Sequence, residues 1–298
     1  MKELSLKGII PAVLTPYDSK HQLDEQSLRR YIDFLIDNRV HGLFIAGTNG
    51  EGPLLKMNEK KDLIRIVVEQ TSGRIPVIAQ TGAISTDETI ELTSYAQEAG
   101  VDAVGIVAPW YFPHDDDSLF GHFGAVAEKV PDLPIYLYNI PSNAKNDIKP
   151  VLVKKLADCY SNILGVKDSS KDLNRLCEYI DLMGKDFTVV IGTDSLAVPA
   201  MFMGAMGVVS AVADVFPEVM VQMYEAFMAG HYEEAIRLQF LVMNIRKALK
   251  IGPYITPYKA ALSLRGIPFG GIKPPFRLPT EEEVGKMKLE LERLGVIK

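Results

Sequence analysis

Eight short runs of apolar, mostly β-rich residues recur along the first 211 residues of the chain. Most of them are hydrophobic at nearly every position instead of alternating between apolar and polar residues. This pattern is typical of parallel strands that are covered on both faces. We therefore predict eight buried strands, over residues 9–14, 42–46, 76–80, 103–108, 135–139, 164–167, 188–192 and 207–211.

The segments between these runs have the apolar spacing of helices. Apolar side chains three or four residues apart share one helix face and pack on a core. Eight strand–helix units in succession predict an α/β fold with a parallel sheet, a (β/α)8 or TIM barrel. Two stripes illustrate the spacing: Leu28, Tyr31, Ile32, Leu35 and Ile36, and then Ile90, Leu92, Thr93 and Ala96.

Helical patterns continue beyond the eighth strand, over residues 218–229, 232–249, 256–264 and 280–294. A segment rich in Pro and Gly, residues 265–275, connects the last two. We expect a barrel over residues 1–228 that carries the active site. Residues 229–298 would form a C-terminal helical extension packed on the barrel.

The composition and charge of the chain argue against two kinds of partner, nucleic acids and membranes. The chain has 298 residues and a formal net charge of -6. Because its basic residues are scattered and form no stripe, we expect no nucleic-acid partner. Residues 196–213 are uncharged and long enough to suggest a membrane span, but Pro199, Gly204 and Gly207 interrupt them. They fit a buried helix followed by a buried strand, so no membrane association is expected.

The two cysteines, Cys159 and Cys177, fall in predicted helices and lack the spacing of a metal or redox motif. Residues 1–7 have no apolar signal core. Reduced thiols and a cytoplasmic location are therefore expected. The acidic run 115–117 beside His114 is better explained as a helix start, where the macrodipole favours carboxylates, than as a metal site. No metal is expected.

The strongest chemical candidate is Lys167, at the end of the sixth predicted strand. Active sites of these barrels lie at the carboxyl ends of the strands. An ammonium there loses hydration, which favours the neutral amine. A neutral amine is a nucleophile that forms a Schiff base with a ketone. By strand alternation Asp168 points away from Lys167, so it is expected to be structural and not the catalytic base.

Two further strand ends carry candidates. The loop 47–52 lacks the spacing of a nucleotide-binding fingerprint, but its backbone N–H groups, with Thr48 and Asn49, can bind a carboxylate. A plain tight turn remains the alternative. Tyr138 shares a strand face with Tyr136 and would sit at the barrel mouth, where a phenol can shuttle protons. The alternative for Tyr138 is a core aromatic residue.

Three segments together resemble the N-acetylneuraminate lyase/dihydrodipicolinate synthase family of Schiff-base pyruvate aldolases: residues 47–51 (Gly-Thr-Asn-Gly-Glu), 138–141 (Tyr-Asn-Ile-Pro) and 165–168 (Gly-Val-Lys-Asp). The resemblance spans almost the whole chain. It implies a covalent imine between Lys167 and pyruvate, with no other cofactor, and proton relay by Tyr138. An aldehyde would be the second substrate, and the assembly a homotetramer built as a dimer of dimers.

The resemblance also implies the remaining roles. Thr48 would link Tyr138 to Tyr111, which in this family often comes from a neighbouring subunit. The backbone of Thr48 and Asn49 would hold the pyruvate carboxylate. Gly192 and Val209 match positions that line the pocket beside the lysine.

Three positions bear on the aldehyde. The synthases usually have an arginine, which holds the aldehyde's carboxylate, where this chain has Asn143, and a second threonine in place of Asn49. Trp110 replaces a tyrosine of the lysine-inhibited bacterial enzymes. Segments 165–168, 238–241 and 273–276 instead resemble archaeal 2-keto-3-deoxygluconate aldolases. Our preferred hypothesis is thus a 2-keto-3-deoxy sugar acid aldolase with Asn143 in the substrate site.

The alternatives remain open. One is 4-hydroxy-tetrahydrodipicolinate (dihydrodipicolinate) synthase, which condenses pyruvate with L-aspartate semialdehyde. A second is a non-catalytic barrel that binds a 2-oxo acid, and a weaker one is a phosphate-binding barrel.

Overall fold

The computed structural model describes residues 6–298. The expectation that the N-terminus lacks a signal core rests largely on residues 1–5, which lie outside the described residues. All eight predicted strands are present, with ends within three residues of those expected. They are β1 (Gly8–Pro11), β2 (Leu43–Ile45), β3 (Val77–Gln80), β4 (Ala103–Val107), β5 (Ile135–Asn139), β6 (Ile163–Asp168), β7 (Thr188–Ile191) and β8 (Gly207–Ser210).

The strands form one parallel sheet in the order β1-β8-β7-β6-β5-β4-β3-β2. The sheet curls so that its two ends approach each other, and the His41 N–H donates to the Ile9 carbonyl (2.8 Å) between them. The strands are buried along nearly their whole length, as expected of a covered parallel sheet. The prediction of a (β/α)8 barrel is confirmed.

Helices cover the outside of the sheet between successive strands. A short helix, α5, also follows β5 directly and brings Asn143 to the carboxyl end of the barrel. These helices are α1 (Glu25–Asp37), α2 (Met57–Thr71), α3 (Thr86–Glu98), α4 (Asp116–Lys129), α5 (Pro141–Ala144), α6 (Pro150–Cys159), α7 (Leu173–Met183) and α8 (Ala197–Phe202).

Four helices follow β8: α9 (Pro217–Met228), α10 (Tyr232–Ala248), α11 (Thr256–Leu264) and α12 (Glu281–Arg293). Gln239 fixes α10 against the segment after β7. Its buried side chain accepts from the Val198 N–H (2.8 Å) and donates to the Asp194 carbonyl (2.9 Å). This contact packs the middle of α10 against the segment that follows the carboxyl end of β7. The division of the chain at residue 228 stays a prediction.

The uncharged stretch 196–213 contains helix α8 and strand β8, so the prediction of a buried helix followed by a buried strand is confirmed. Within residues 6–298, no helix combines the length and the apolar character needed to span a bilayer. Cys159 ends α6 and Cys177 lies in α7, as expected, and both thiols are free.

Candidate active site

Lys167 lies in β6 with its side chain enclosed at the carboxyl end of the barrel. Only 5% of the residue is exposed. Its Nζ lies 3.4 Å from the centroid of the Tyr138 ring and 4.4 Å from that of Phe44. Burial lowers the pKa of Lys167 well below its ordinary value, while the charge of Asp168 opposes the shift. The site therefore favours the neutral, nucleophilic amine.

Tyr138 stands beside Lys167 because their Cα positions are paired between β5 and β6. Its hydroxyl lies 3.1 Å from the Thr48 Oγ1. Burial raises the pKa of Tyr138, and hydrogen bonds with Thr48 and Ser169 oppose that shift. The phenol is thus held protonated at neutral pH, in a short hydroxyl chain next to the amine. Such a chain can pass a proton to and from a group that reacts at Lys167.

The loop after β2 has a constrained backbone. Ala46 and Glu51 adopt left-handed conformations (φ 56° and 57°). A Cβ on Gly52 would lie 1.9 Å from the Ala46 carbonyl oxygen, so only glycine fits there. Thr48 and Asn49 line the cavity above Lys167. Among residues 6–298 no acceptor is found for the N–H group of either residue, which leaves both free to bind an anion.

The side chain of Asn49 is held in place by Asp214. Its Nδ2 donates to the Asp214 Oδ2 (3.2 Å), and Tyr31 donates to the Asp214 carbonyl oxygen (2.9 Å). Burial raises the pKa of Asp214 well above its usual range, although the Asn49 hydrogen bond opposes this. Asp214 was not among the residues that the sequence singled out.

Asp168 has the structural role that strand alternation predicted. It is fully buried on the other side of β6. Its carboxylate accepts from the Asn139 Nδ2 (3.0 Å) and from the Ser170 hydroxyl (2.6 Å). Asp115, likewise, caps α4 by accepting from the Ser118 N–H (2.8 Å), which confirms the helix start expected in the acidic run. No cluster of potential metal ligands occurs within residues 6–298.

A cavity of about 400 Å³ opens above Lys167. Among the predicted site residues it is lined by Thr48, Asn49, Tyr138, Asn143, Gly192 and Val209, so that the structure brings all of them together around the lysine. A volume of this size suits a small organic ligand. A Cβ on Gly192 would lie 2.0 Å from the Ser169 Oγ, so the glycine makes room for the hydroxyl that contacts Tyr138.

Tyr111 lies outside the cavity of its own chain. It is 77% exposed, adopts a positive φ of 83°, and packs edge-on against Phe112 (4.9 Å between centroids). Trp110 instead lines a smaller cavity beside Thr48. The single chain thus assembles the Tyr138–Thr48 part of the expected relay and leaves Tyr111 at the surface.

Sequence reasoning missed several residues of this site. Ser169 could have been found, because it lies two residues after Lys167 and strand alternation puts both on one face. Lys171, Arg246 and Lys250 also line the cavity. Arg246 lies in the last turn of α10 and Lys250 follows two residues after the helix ends. Nothing local in the sequence shows that this part of the chain reaches the barrel mouth.

The comparison with protein families decides what this barrel is. The model of the dihydrodipicolinate synthetase family matches residues 5–294. The chain belongs to this family. It is a lyase of the pyruvate-dependent, Schiff-base type that the three sequence segments indicated.

Individual relatives are similar to this chain over nearly its full length. A 4-hydroxy-tetrahydrodipicolinate synthase of Methanopyrus kandleri is 38% identical, over 98% of this chain and 97% of its own. An uncharacterized DapA-like lyase of Halobacterium salinarum is also 38% identical, over 99% and 96%. The crystal structure of YagE, an Escherichia coli K12 prophage protein of the dihydrodipicolinic acid synthase family solved with pyruvate, superimposes with a TM-score of 0.94 at 32% identity, covering 98% and 99%.

These names bear on the aldehyde substrate. The sequence favours a sugar acid aldolase, with the synthase as the alternative. The relatives of Methanopyrus kandleri and Methanocaldococcus jannaschii carry the synthase name. The comparisons therefore favour the alternative over the preferred hypothesis.

Proposed function

We propose that this protein joins pyruvate to an aldehyde through an imine on Lys167, and that the aldehyde is L-aspartate semialdehyde. The observation that carries the reaction type is the buried amine of Lys167 against Tyr138, whose hydroxyl is in turn 3.1 Å from Thr48. The names of the relatives support the choice of aldehyde.

The steps follow from the groups at the site. The Lys167 amine adds to C2 of pyruvate, and water leaves as the iminium forms. The iminium draws electrons from the methyl carbon, which loses a proton and becomes a nucleophilic enamine. The enamine attacks the aldehyde carbon, a carbon–carbon bond forms, and the aldehyde oxygen takes up a proton. Attack on the imine carbon by water, or by an amine on the product itself, then releases Lys167.

Each neighbour has one role in this scheme. Tyr138 passes the protons that the addition, dehydration and aldol steps require, with Thr48 as the next hydroxyl in the chain. The free N–H groups of Thr48 and Asn49 hold the pyruvate carboxylate. Tyr111 would complete the relay from a second subunit of a homotetramer. No metal or organic cofactor enters, because the iminium is the electron sink.

Borohydride reduction in the presence of pyruvate tests the imine. We expect a pyruvate adduct on the peptide that contains Lys167, and none in Lys167→Met. An unmodified Lys167 peptide in the wild type, under conditions where a known imine enzyme is trapped, would refute the proposal.

A second candidate for the aldehyde is a neutral hydroxyaldehyde such as D-glyceraldehyde, the substrate of a sugar acid aldolase. Asn143 favours it, since a neutral amide cannot make the bidentate contact of an arginine with a carboxylate. Initial rates with pyruvate and either aldehyde, side by side, discriminate between the two. A higher kcat/KM with D-glyceraldehyde would replace the synthase assignment.

A further inference from the structure

The cavity above Lys167 carries three cationic side chains that the imine chemistry does not use. Lys171, Arg246 and Lys250 line the same 400 Å³ space as Lys167. The chain as a whole has a net charge of -6, so this concentration of positive charge differs from the rest of the molecule.

Separate parts of the fold bring these residues together. Lys171 follows β6 by three residues and adopts a left-handed backbone conformation (φ 69°). Non-glycine residues seldom adopt that conformation, and it concentrates at ligand sites. Arg246 lies in the last turn of α10, and Lys250 follows two residues after that helix ends. Active sites of this fold are built at the carboxyl ends of the strands, the edge at which Lys171 lies.

The charges at the mouth are not balanced by protein carboxylates. Arg246 Nε lies 3.5 Å from the Asp194 Oδ2. The other oxygen of that carboxylate accepts from the Ser210 hydroxyl (2.5 Å). Within residues 6–298, neither Lys171 nor Lys250 has an ion-pair partner. Three cations thus face one carboxylate, which leaves a net positive charge over the cavity.

Lys171 and Lys250 lie close enough for the charge of one to act on the other. Partial burial and the charges of Arg246 and Lys171 lower the pKa of Lys250, and the charge of Asp194 opposes them. A favourable interaction with the helix dipole would account for basic residues at the end of α10 in general. The dipole does not explain why Arg246 and Lys250 line the cavity, since Lys247 in the same part of the helix is exposed and lies outside the cavity.

Asn143 is the residue at the position where the synthases usually have an arginine. Asn143 lines the cavity and hydrogen-bonds with Tyr254, a residue of the loop after α10. It offers no charge to an anionic aldehyde. The pyruvate carboxylate is assigned to the loop of Thr48 and Asn49, so a second anionic group would need a second cationic partner.

We propose that Lys171, Arg246 and Lys250 form a subsite for a carboxylate or phosphate at the far end of the aldehyde, so that the second substrate is an anionic aldehyde. The proposal rests on the proposed function, because it requires pyruvate to be bound at Lys167. It gives the protein a way to hold L-aspartate semialdehyde without a charged residue at position 143.

The test compares three aldehydes with pyruvate as the common substrate: L-aspartate semialdehyde, D-glyceraldehyde 3-phosphate and uncharged D-glyceraldehyde. The variant is Lys171→Gln/Lys250→Gln, since both lysines are exposed and neither has an ion-pair partner among residues 6–298. Lys247→Gln is the matched control, because it removes one charge from the same helix turn outside the cavity.

We expect the wild type to prefer an anionic aldehyde. In the double variant the ratio of kcat/KM for that aldehyde to kcat/KM for D-glyceraldehyde should fall by about tenfold or more, the size of one lost charge-assisted contact. Lys250→Glu should lower the ratio as well, and Lys247→Gln should leave it within about twofold of the wild type. The better of the two anionic aldehydes identifies the anion.

Borohydride trapping of pyruvate in the same variants keeps the two proposals apart. An unchanged ratio in the double variant, or a wild-type preference for D-glyceraldehyde, would overturn the subsite while trapping on Lys167 upholds the imine. Absence of trapping in the wild type would overturn both.

Discussion

Lys259 of α11 and Glu51 of the loop after β2 form an ion pair that is shielded from solvent, with 1% and 0% of their side chains exposed. Glu51 also accepts from the Lys273 N–H (3.3 Å). Glu51 belongs to the same loop as Thr48 and Asn49. The C-terminal helices therefore hold the loop to which we assign the pyruvate carboxylate.

Removal of one partner of this pair should destabilise the protein. Lys259→Met would leave the Glu51 carboxylate buried and unpaired, which costs about 3–5 kcal/mol in the free energy of unfolding. The KM for pyruvate should rise in the same variant, because the loop loses its anchor. Glu51→Gln/Lys259→Met removes both charges and should recover part of the stability. Denaturant unfolding measures both variants, and a double variant no more stable than Lys259→Met would contradict this account.

The pH dependence of imine formation should report the pKa of Lys167. Since burial lowers this pKa well below 10.5, the fraction of neutral amine rises with pH through the lowered value and is complete before an ordinary lysine titrates. The rate of borohydride-trappable imine formation should follow that curve and be flat at alkaline pH. A rate that still increases near the ordinary lysine pKa would show an unperturbed amine.

The same burial should cost stability. Between the lowered pKa and 10.5 the unfolded chain binds a proton at Lys167 that the folded chain does not, so stability rises with pH in that window. The free energy of unfolding of Lys167→Met should therefore exceed that of the wild type by about 1–2 kcal/mol at pH 7. This difference should shrink towards pH 10. Lys60→Met is the control, because Lys60 is also buried with a lowered pKa but lies in α2 outside the cavity. It should leave turnover unchanged.

Tyr138→Phe should reduce kcat by about 100-fold or more, because it removes a hydroxyl beside Lys167 that can carry a proton. Tyr136→Phe is the matched control. Tyr136 shares the strand face, but its hydroxyl accepts from the Leu6 N–H (3.3 Å) at the opposite end of the barrel. That variant should change stability by about 1 kcal/mol and leave kcat nearly intact. Equal losses of kcat in the two variants would argue against a relay through Tyr138.

Gly192→Ala should act through Ser169. The added methyl group would displace the Ser169 hydroxyl from Tyr138, so kcat should fall to the level of Ser169→Ala. Gly192→Ala/Ser169→Ala should then be no slower than either single variant, a non-additivity that a double-mutant cycle measures. Additive losses would mean that Gly192 acts on the substrate directly.

The sequence alone predicted most of this fold. Each barrel strand must bury apolar side chains on both faces, so the strands appear as continuous runs whose number and order can be counted, and β5 matched its predicted bounds of 135–139. Position at the end of a strand also makes Lys167 and Tyr138 candidate site residues, because the carboxyl ends of parallel strands meet at one edge of the sheet. The structural role of Asp168 followed from alternation alone.

What the tertiary structure decided lies at long separation along the chain. The packing of the helices after β8 on the barrel decides three relationships. Arg246 and Lys250 share a cavity with Lys167, Asp214 holds Asn49, and Lys259 pairs with Glu51. Packing of a helix end is set by side chains far away in sequence, such as Gln239 against the segment after β7. Local periodicity reports which face of an element is apolar, but not which residues of another element lie across from it.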